Sequence, residues 1–243
     1  MRPRDALLVG ASFCYLAGVA LTLLTLAAAT LFLRRDLHGR LASAASRGLL
    51  RLWGVRLDVT GAPWPAGQVV YVSNHTSALD VFVVCALGLP RTRYFLTGGL
   101  RLVLPLAVIG WLIGVFWTPP QTRRERRVAL FQRAAATLSR TGESAFLTPE
   151  GRRVPTGGPG PFNRGAFHLA QSLGAPIVPL VLDLPPGTDA GLLARPGVVR
   201  VRVLPPVDTR GWRLEELDRR KDEVRRLFAA TGGGRFASGR LHG

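Results

Sequence analysis

Residues 6–33 run ALLVGASFCYLAGVALTLLTLAAATLFL without one charged side chain. A helix crossing a bilayer needs about 20 apolar residues, so the run is long enough to span. It exceeds a signal-peptide core and shows no cleavage site before Arg34 and Arg35, and so reads as a retained membrane helix. Arg2 and Arg4 precede it, while Arg34, Arg35, Arg40, Arg47 and Arg51 follow, an excess that places the following chain on the cytoplasmic side. Gly10 and Gly18 leave open a bent helix that dips into one leaflet. Over residues 37–53, Leu41, Ala44, Ala45, Leu49, Leu52 and Trp53 share one helical face between arginines. That pattern fits an amphipathic helix lying on an anionic membrane surface, and equally an ordinary helix at a domain edge.

From Arg56 the pattern alternates. Strands are predicted over 56–60, 68–74, 144–150, 176–184 and 198–207, and helices over 78–88, 126–140, 164–174 and Leu214–Phe228. Such alternation predicts an α/β domain, with a mostly parallel or mixed central sheet flanked by helices. A second uncharged run, residues 102–117, contains Pro105, Gly110 and Gly114 and falls short of a span. It is expected to be a buried or leaflet-dipping helix followed by a strand. The expected organisation is a membrane helix at 1–35, an interfacial helix at 36–55, the α/β domain at 56–230 and a flexible glycine-rich tail at 231–243.

Charge narrows the partners. The 243 residues carry 32 basic against 15 acidic side chains, a formal charge of +17, and Lys221 is the only lysine. Such a chain suits a polyanionic partner: a nucleic acid, an anionic lipid surface or a phosphorylated substrate. No interleaved basic and aromatic signature points to nucleic acid. With 47% hydrophobic residues the bulk of the chain is not disordered. Cys14 and Cys85 imply no disulfide framework, and His38, His75, His168 and His242 lack metal-site spacing. Neither a metal nor a cofactor is expected.

Two motifs carry chemistry. Asn74-His75-Thr76-Ser77-Ala78-Leu79-Asp80 follows a predicted strand and opens a helix, where open α/β sheets place their sites. With Ser77 as helix cap, Asp80 at its third position reaches back to one nitrogen of His75 and leaves the other free as a base. Alternatively Asp80 only caps the helix and His75 is an ordinary loop histidine. Amides at the mouth of the Ser77 helix are candidates to stabilise an oxyanion. The second motif, Pro149-Glu150-Gly151-Arg152-Arg153, opens a loop running to Arg164 and Gly165. Paired arginines suit a phosphate, a glycine lets backbone approach a ligand, and a helix capped by Asn163 adds its dipole, although a solvated surface loop reads the same.

NHTSALD resembles the NHxSxxD signature, and PEGRR the PEGTR block, of the glycerolipid acyltransferases that act on 1-acyl-sn-glycerol-3-phosphate. The resemblance extends over roughly residues 47–182. It implies the glycerolipid acyltransferase fold and transfer of an acyl chain from acyl-CoA or acyl carrier protein to a lysophospholipid, giving phosphatidic acid. It further implies His75 as general base, Asp80 as its orienting partner, and membrane lipids as surroundings. The substrate-binding set expected is Asn74, Ser77, Glu150, Gly151, Arg152, Arg153 and Arg164. The place implied is an inner membrane, with the catalytic domain on its cytoplasmic face. Two departures fall on the acceptor side. Pro119 and Pro120 stand where the family has an acidic residue and an arginine that help hold the acceptor phosphate, with Arg123 or Arg124 as possible substitutes, and Arg152 replaces a threonine. Other acceptors, such as lyso-ornithine lipid, therefore stay open, as do a thioesterase and a non-catalytic protein binding anionic lipid. Ser77 is not expected to be a nucleophile, since a cap hydroxyl serves the helix backbone. Phe82, Tyr71 and residues 102–117 are read as core or acyl-chain wall, and His168 as structural. Because His75 and Glu150 must meet, residues 102–117 must return to the side they started from.

Overall fold

The computed structural model describes residues 3–32, 35–154, 158–185 and 196–232; the last eleven residues of the predicted tail, 233–243, lie outside them. Its first element is helix α1 (Pro3–Ala29), which is apolar and long enough to cross a membrane. It does not stand alone. Ala20, Leu23 and Ala27 are buried, Trp53 Nε1 donates to Ser12 Oγ at 2.8 Å, and Tyr15 Oη donates to the Ala45 carbonyl at 3.1 Å. These contacts lay α1 against α2 (Arg35–Leu52), while Leu7, Phe13, Leu21 and Leu24 on its other faces stay exposed.

The remaining elements are β1 (Val55–Gly61), β2 (Val70–Ser73), α3 (Asp80–Ala86), β3 (Thr92–Thr97), α4 (Leu104–Leu112), β4 (Phe116–Thr118), α5 (Arg124–Thr141), β5 (Ser144–Leu147), α6 (Gly165–Leu173), β6 (Ile177–Asp183), β7 (Gly197–Val203) and α7 (Leu217–Ala230). The strands form one mixed sheet ordered β1-β7-β6-β2-β5-β3-β4, parallel at every pairing except β6 with β7. Strand β2 is buried on both faces, as its uninterrupted run of apolar residues requires at the centre of such a sheet. Its alternation feeds two cores. Tyr71 faces the layer containing α1, α2, α3 and α4, whereas Val70 and Val72 face α5, α6 and α7. Glycines Gly142 and Gly174, in the left-handed region, end α5 and α6.

Residues 102–117 form the crossover between parallel strands β3 and β4, so the chain returns to the sheet as expected. Helix α4 is only half buried. Ile109, Gly110 and Leu112 face inward, while Leu104 and Trp111 are exposed beside α1. Strand β3 went unpredicted; Arg91 and Arg93 hide its apolar run.

Candidate active site

Parallel strands β2 and β5 end side by side, so the loops leaving them meet above one edge of the sheet. Asn74 sets the first loop's exit. Its side chain is buried, receiving Leu182 N–H on Oδ1 and donating from Nδ2 to the Leu182 carbonyl, each at 2.8 Å. Both polar atoms thus bond β6 and clasp the loop to that strand.

His75 Nδ1 lies 2.8 Å from Asp80 Oδ2. The same oxygen accepts Thr76 N–H at 2.8 Å and Ser77 N–H at 3.0 Å. Ser77 Oγ in turn accepts Leu79 N–H, so the predicted box closes over an irregular turn and the regular helix starts only at Asp80. Asp80 is buried, while the His75 side chain is 27% exposed, which presents Nε2 toward the opening. Several of the helix-mouth amides read as oxyanion donors are engaged within the turn. Those of Thr76, Ser77 and Leu79 already serve Asp80 and Ser77.

The second motif grips the first through its main chain. Glu150 Oε2 accepts His75 N–H and Oε1 accepts Gly160 N–H, each at 2.9 Å, and Val154 N–H donates to the His75 carbonyl at 2.7 Å. Glu150 is 4% exposed, and this burial raises its pKa while the two backbone N–H groups oppose the rise. Each of its carboxylate oxygens takes one backbone N–H. Gly151 adopts φ +66°, where a Cβ would meet Gln121 Nε2 at 2.5 Å and Asn163 Nδ2 at 2.9 Å. Gln121 donates to the Gly151 carbonyl, and Asn163 donates to the Pro149 and Glu150 carbonyls. Asn163 therefore ties the loop and does not cap α6, whose N-cap is Arg164.

The arginines divide. Arg152 and Arg153 are exposed on the loop at the site. Arg164 pairs with Asp218 on α7, both side chains about half exposed. Arg123 and Arg124 begin α5 and are exposed. One turn on, Arg127 Nη1 donates to the Pro119 carbonyl at 3.2 Å, and burial lowers its pKa. That residue was missed from sequence, although its i+4 spacing from Arg123 points it back along the first turn of α5 toward Pro119. Beside the site, Val81 and Phe82 of α3 open an apolar cleft walled by Leu16, Ala42, Ile109 and Trp117.

The Acyltransferase family model matches residues 56–183. The chain is 31% identical over 214 residues to a chloroplastic 1-acyl-sn-glycerol-3-phosphate acyltransferase, BAT2, of Brassica napus, covering 82% of this chain and 60% of that protein. It is 32% identical over 179 residues to the 1-acyl-sn-glycerol-3-phosphate acyltransferase alpha of Mus musculus, covering 72% and 62%. It thus spans about 60% of the length of these relatives. Its fold matches the crystal structure of the 1-acyl-sn-glycerophosphate acyltransferase PlsC from Thermotoga maritima, with a TM-score of 0.73 at 20% identity over 98% of this chain and all of that one.

Proposed function

Since the chain belongs to the acyltransferase family, we propose that it moves an acyl group from acyl-CoA or acyl carrier protein to the free hydroxyl of a lysophospholipid. The acceptor is 1-acyl-sn-glycerol-3-phosphate and the product phosphatidic acid, following the acceptor in the relatives' names. The observation carrying this reading is the His75–Asp80 contact held in place by the Glu150 loop.

His75 Nε2 takes the acceptor's hydroxyl proton as the oxygen attacks the thioester carbonyl. The imidazolium so formed is stabilised by Asp80, which also keeps the proton on Nδ1. Collapse of the tetrahedral intermediate breaks the C–S bond, and the imidazolium returns the proton to the departing thiolate. A positioned base of this kind contributes about 10² to 10⁴ in rate. The thioester is already activated, so no covalent enzyme intermediate and no cofactor enter the scheme. Arg153 and Arg127 are the groups assigned to the acceptor phosphate, Arg127 standing in beside Pro119 for the family's missing arginine. Gly151 makes the left-handed turn of the loop, packed under Gln121 and Asn163, and exposed Arg152 follows it at the rim.

Residues 1–35 and 36–55 seat the catalytic domain, 56–230, on the membrane. The exposed apolar faces of α1 and α4 support this placement. The arginines following α1 support the cytoplasmic face of the inner membrane as its location. Purified protein given lysophosphatidic acid, a phosphate-free lyso-ornithine lipid or water, with acyl-CoA and acyl carrier protein donors, tests the reading. Transfer to lysophosphatidic acid that disappears in His75→Ala is expected. Thiol release without acyl transfer would instead identify a thioesterase.

A further inference from the structure

A second cavity lies at the opposite edge of the sheet. Thr92 is the first residue of β3 and Glu143 immediately precedes β5, so this cavity sits at the strand starts, whereas His75 follows a strand end. The two places are roughly 20 Å apart along the strands. The cavity measures about 530 Å³ and carries Arg35, Arg40, Arg47 and Arg91 against Asp36 and Glu143.

Glu143 balances little of that charge, because Arg93 holds it at shorter range. Arg93 Nε and Nη2 each reach Glu143 Oε2 at 2.6 Å, both side chains being buried. Arg35 stands 4.0 Å from the same carboxylate, with its guanidinium half exposed. Arg47 Nη1 donates to Ser43 Oγ at 2.7 Å and to the Ala86 carbonyl at 2.8 Å, closing the carboxyl end of α3. Arg91 at the rim has φ +42°, a backbone conformation that costs a non-glycine residue about 1 kcal/mol or more. A cavity with excess guanidinium is chemistry for a phosphate.

The rim is apolar. Leu31 and Phe32 at the end of α1 are exposed, and the Phe32 ring packs edge-on against exposed Trp111. Ile113 lines both this cavity and the apolar cleft that opens beside Asp80. Phosphate chemistry set in an apolar wall, and joined through Ile113 to an apolar cleft, fits an amphipathic ligand better than a soluble one. We propose that this cavity is an accessory lipid site that holds the phosphate of an anionic phospholipid headgroup, separate from the acceptor site. Arg35 and Arg40 are its reaching groups. Arg47 is the fixed wall, since its guanidinium is tied to α3.

The test is calorimetric titration of the full chain in neutral detergent micelles with soluble dihexanoyl-phosphatidylglycerol. The double variant Arg35→Gln/Arg40→Gln, altered at exposed positions, is expected to weaken binding about tenfold or more. Arg153→Ala, at the other edge of the sheet, is expected to stay within about twofold of wild type. Dihexanoyl-phosphatidylcholine is expected to bind no more weakly to the double variant than to wild type. If the double variant does not fold, Arg40→Gln alone is expected to weaken binding about threefold. Unchanged affinity in the arginine variants overturns the proposal. So does an equal loss in Arg153→Ala, which would place the ligand at the acceptor site, or displacement of the lipid by equimolar inorganic phosphate, which would make the ligand a soluble anion. None of these outcomes bears on the role of His75.

Discussion

Glu150→Gln separates a group that positions the base from one that binds the acceptor. In the structure each carboxylate oxygen takes one backbone N–H, from His75 and from Gly160. An amide retains one acceptor oxygen and turns its NH₂ toward the other donor. A buried donor left unmade costs about 1–3 kcal/mol, and if the loop yields by that amount at His75 the base leaves its productive geometry. At 1.4 kcal/mol per factor of ten, kcat should fall about 10- to 100-fold, while KM for lysophosphatidic acid stays within about threefold. Stability should move the other way or hardly at all. Burial raises the Glu150 pKa above its ordinary value of 4.5, so stability is greatest below that value and is lost as pH rises through the higher folded pKa. The amide carries no charge to bury, which offsets the unmade hydrogen bond at neutral pH. Initial rates by thiol release, with melting curves at pH 5 and pH 8, measure both. Unchanged kcat with a raised acceptor KM would refute the positioning role and return Glu150 to the acceptor site.

Four further outcomes follow from the same geometry. His75→Ala should lower kcat by about 10² to 10⁴ and Asp80→Asn by less, with folding intact by circular dichroism; near wild-type turnover in His75→Ala would sink the base assignment. Arg153→Ala and Arg127→Ala should each raise KM for a phosphate-bearing acceptor more than for the donor, and an equal effect on lyso-ornithine lipid would argue against a phosphate contact. Glu143→Gln should destabilise by roughly 3 kcal/mol in urea titrations by leaving Arg93 buried and unpaired. Although burial alone raises the Glu143 pKa, Arg93 and Arg35 hold it below 4.5, so wild type loses this contribution as pH falls from 4.5 through the folded pKa, and a variant with the same acid limb would contradict the pairing. In a background lacking Cys14 and Cys85, Arg91→Cys and Arg123→Cys should both label with an impermeant thiol reagent only in opened cells; labelling of either from outside spheroplasts would overturn the cytoplasmic placement.

The elements that sequence reading located are those whose periodicity is set locally. The apolar run of β2 and the amphipathic faces of α5 and α6 follow from side-chain pattern alone, and the return of residues 102–117 from the need for His75 and Glu150 to meet. The His75–Asp80 contact was legible for the same reason, since four intervening residues across a strand-to-helix turn leave little freedom. What stayed hidden depends on partners far along the chain. Asn74 finds Leu182, and Arg164 finds Asp218, neither of which local spacing predicts. Strand β3 was masked by Arg93, whose charge is tolerated inside only because Glu143 meets it. The helix-mouth amides looked free because a sequence shows donors but not which oxygen has already taken them.

Strand β1 closes the sheet against β7, Val55 facing Gly197, and so its partner among the described residues is made more than a hundred residues later. At translation rates of 5–20 residues per second, that partner emerges on the order of ten seconds later. Helices α1 and α2 are complete before β1 appears, so the nascent chain can reach a membrane while its first strand still has an open edge. Arg56, Asp58 and Thr60 alternate along that strand, and charged edge positions discourage pairing with a foreign chain during the wait. With the proposed membrane placement, the order of synthesis puts tethering before enclosure, and truncation ahead of residue 197 should yield a chain prone to aggregate through its unpaired β1.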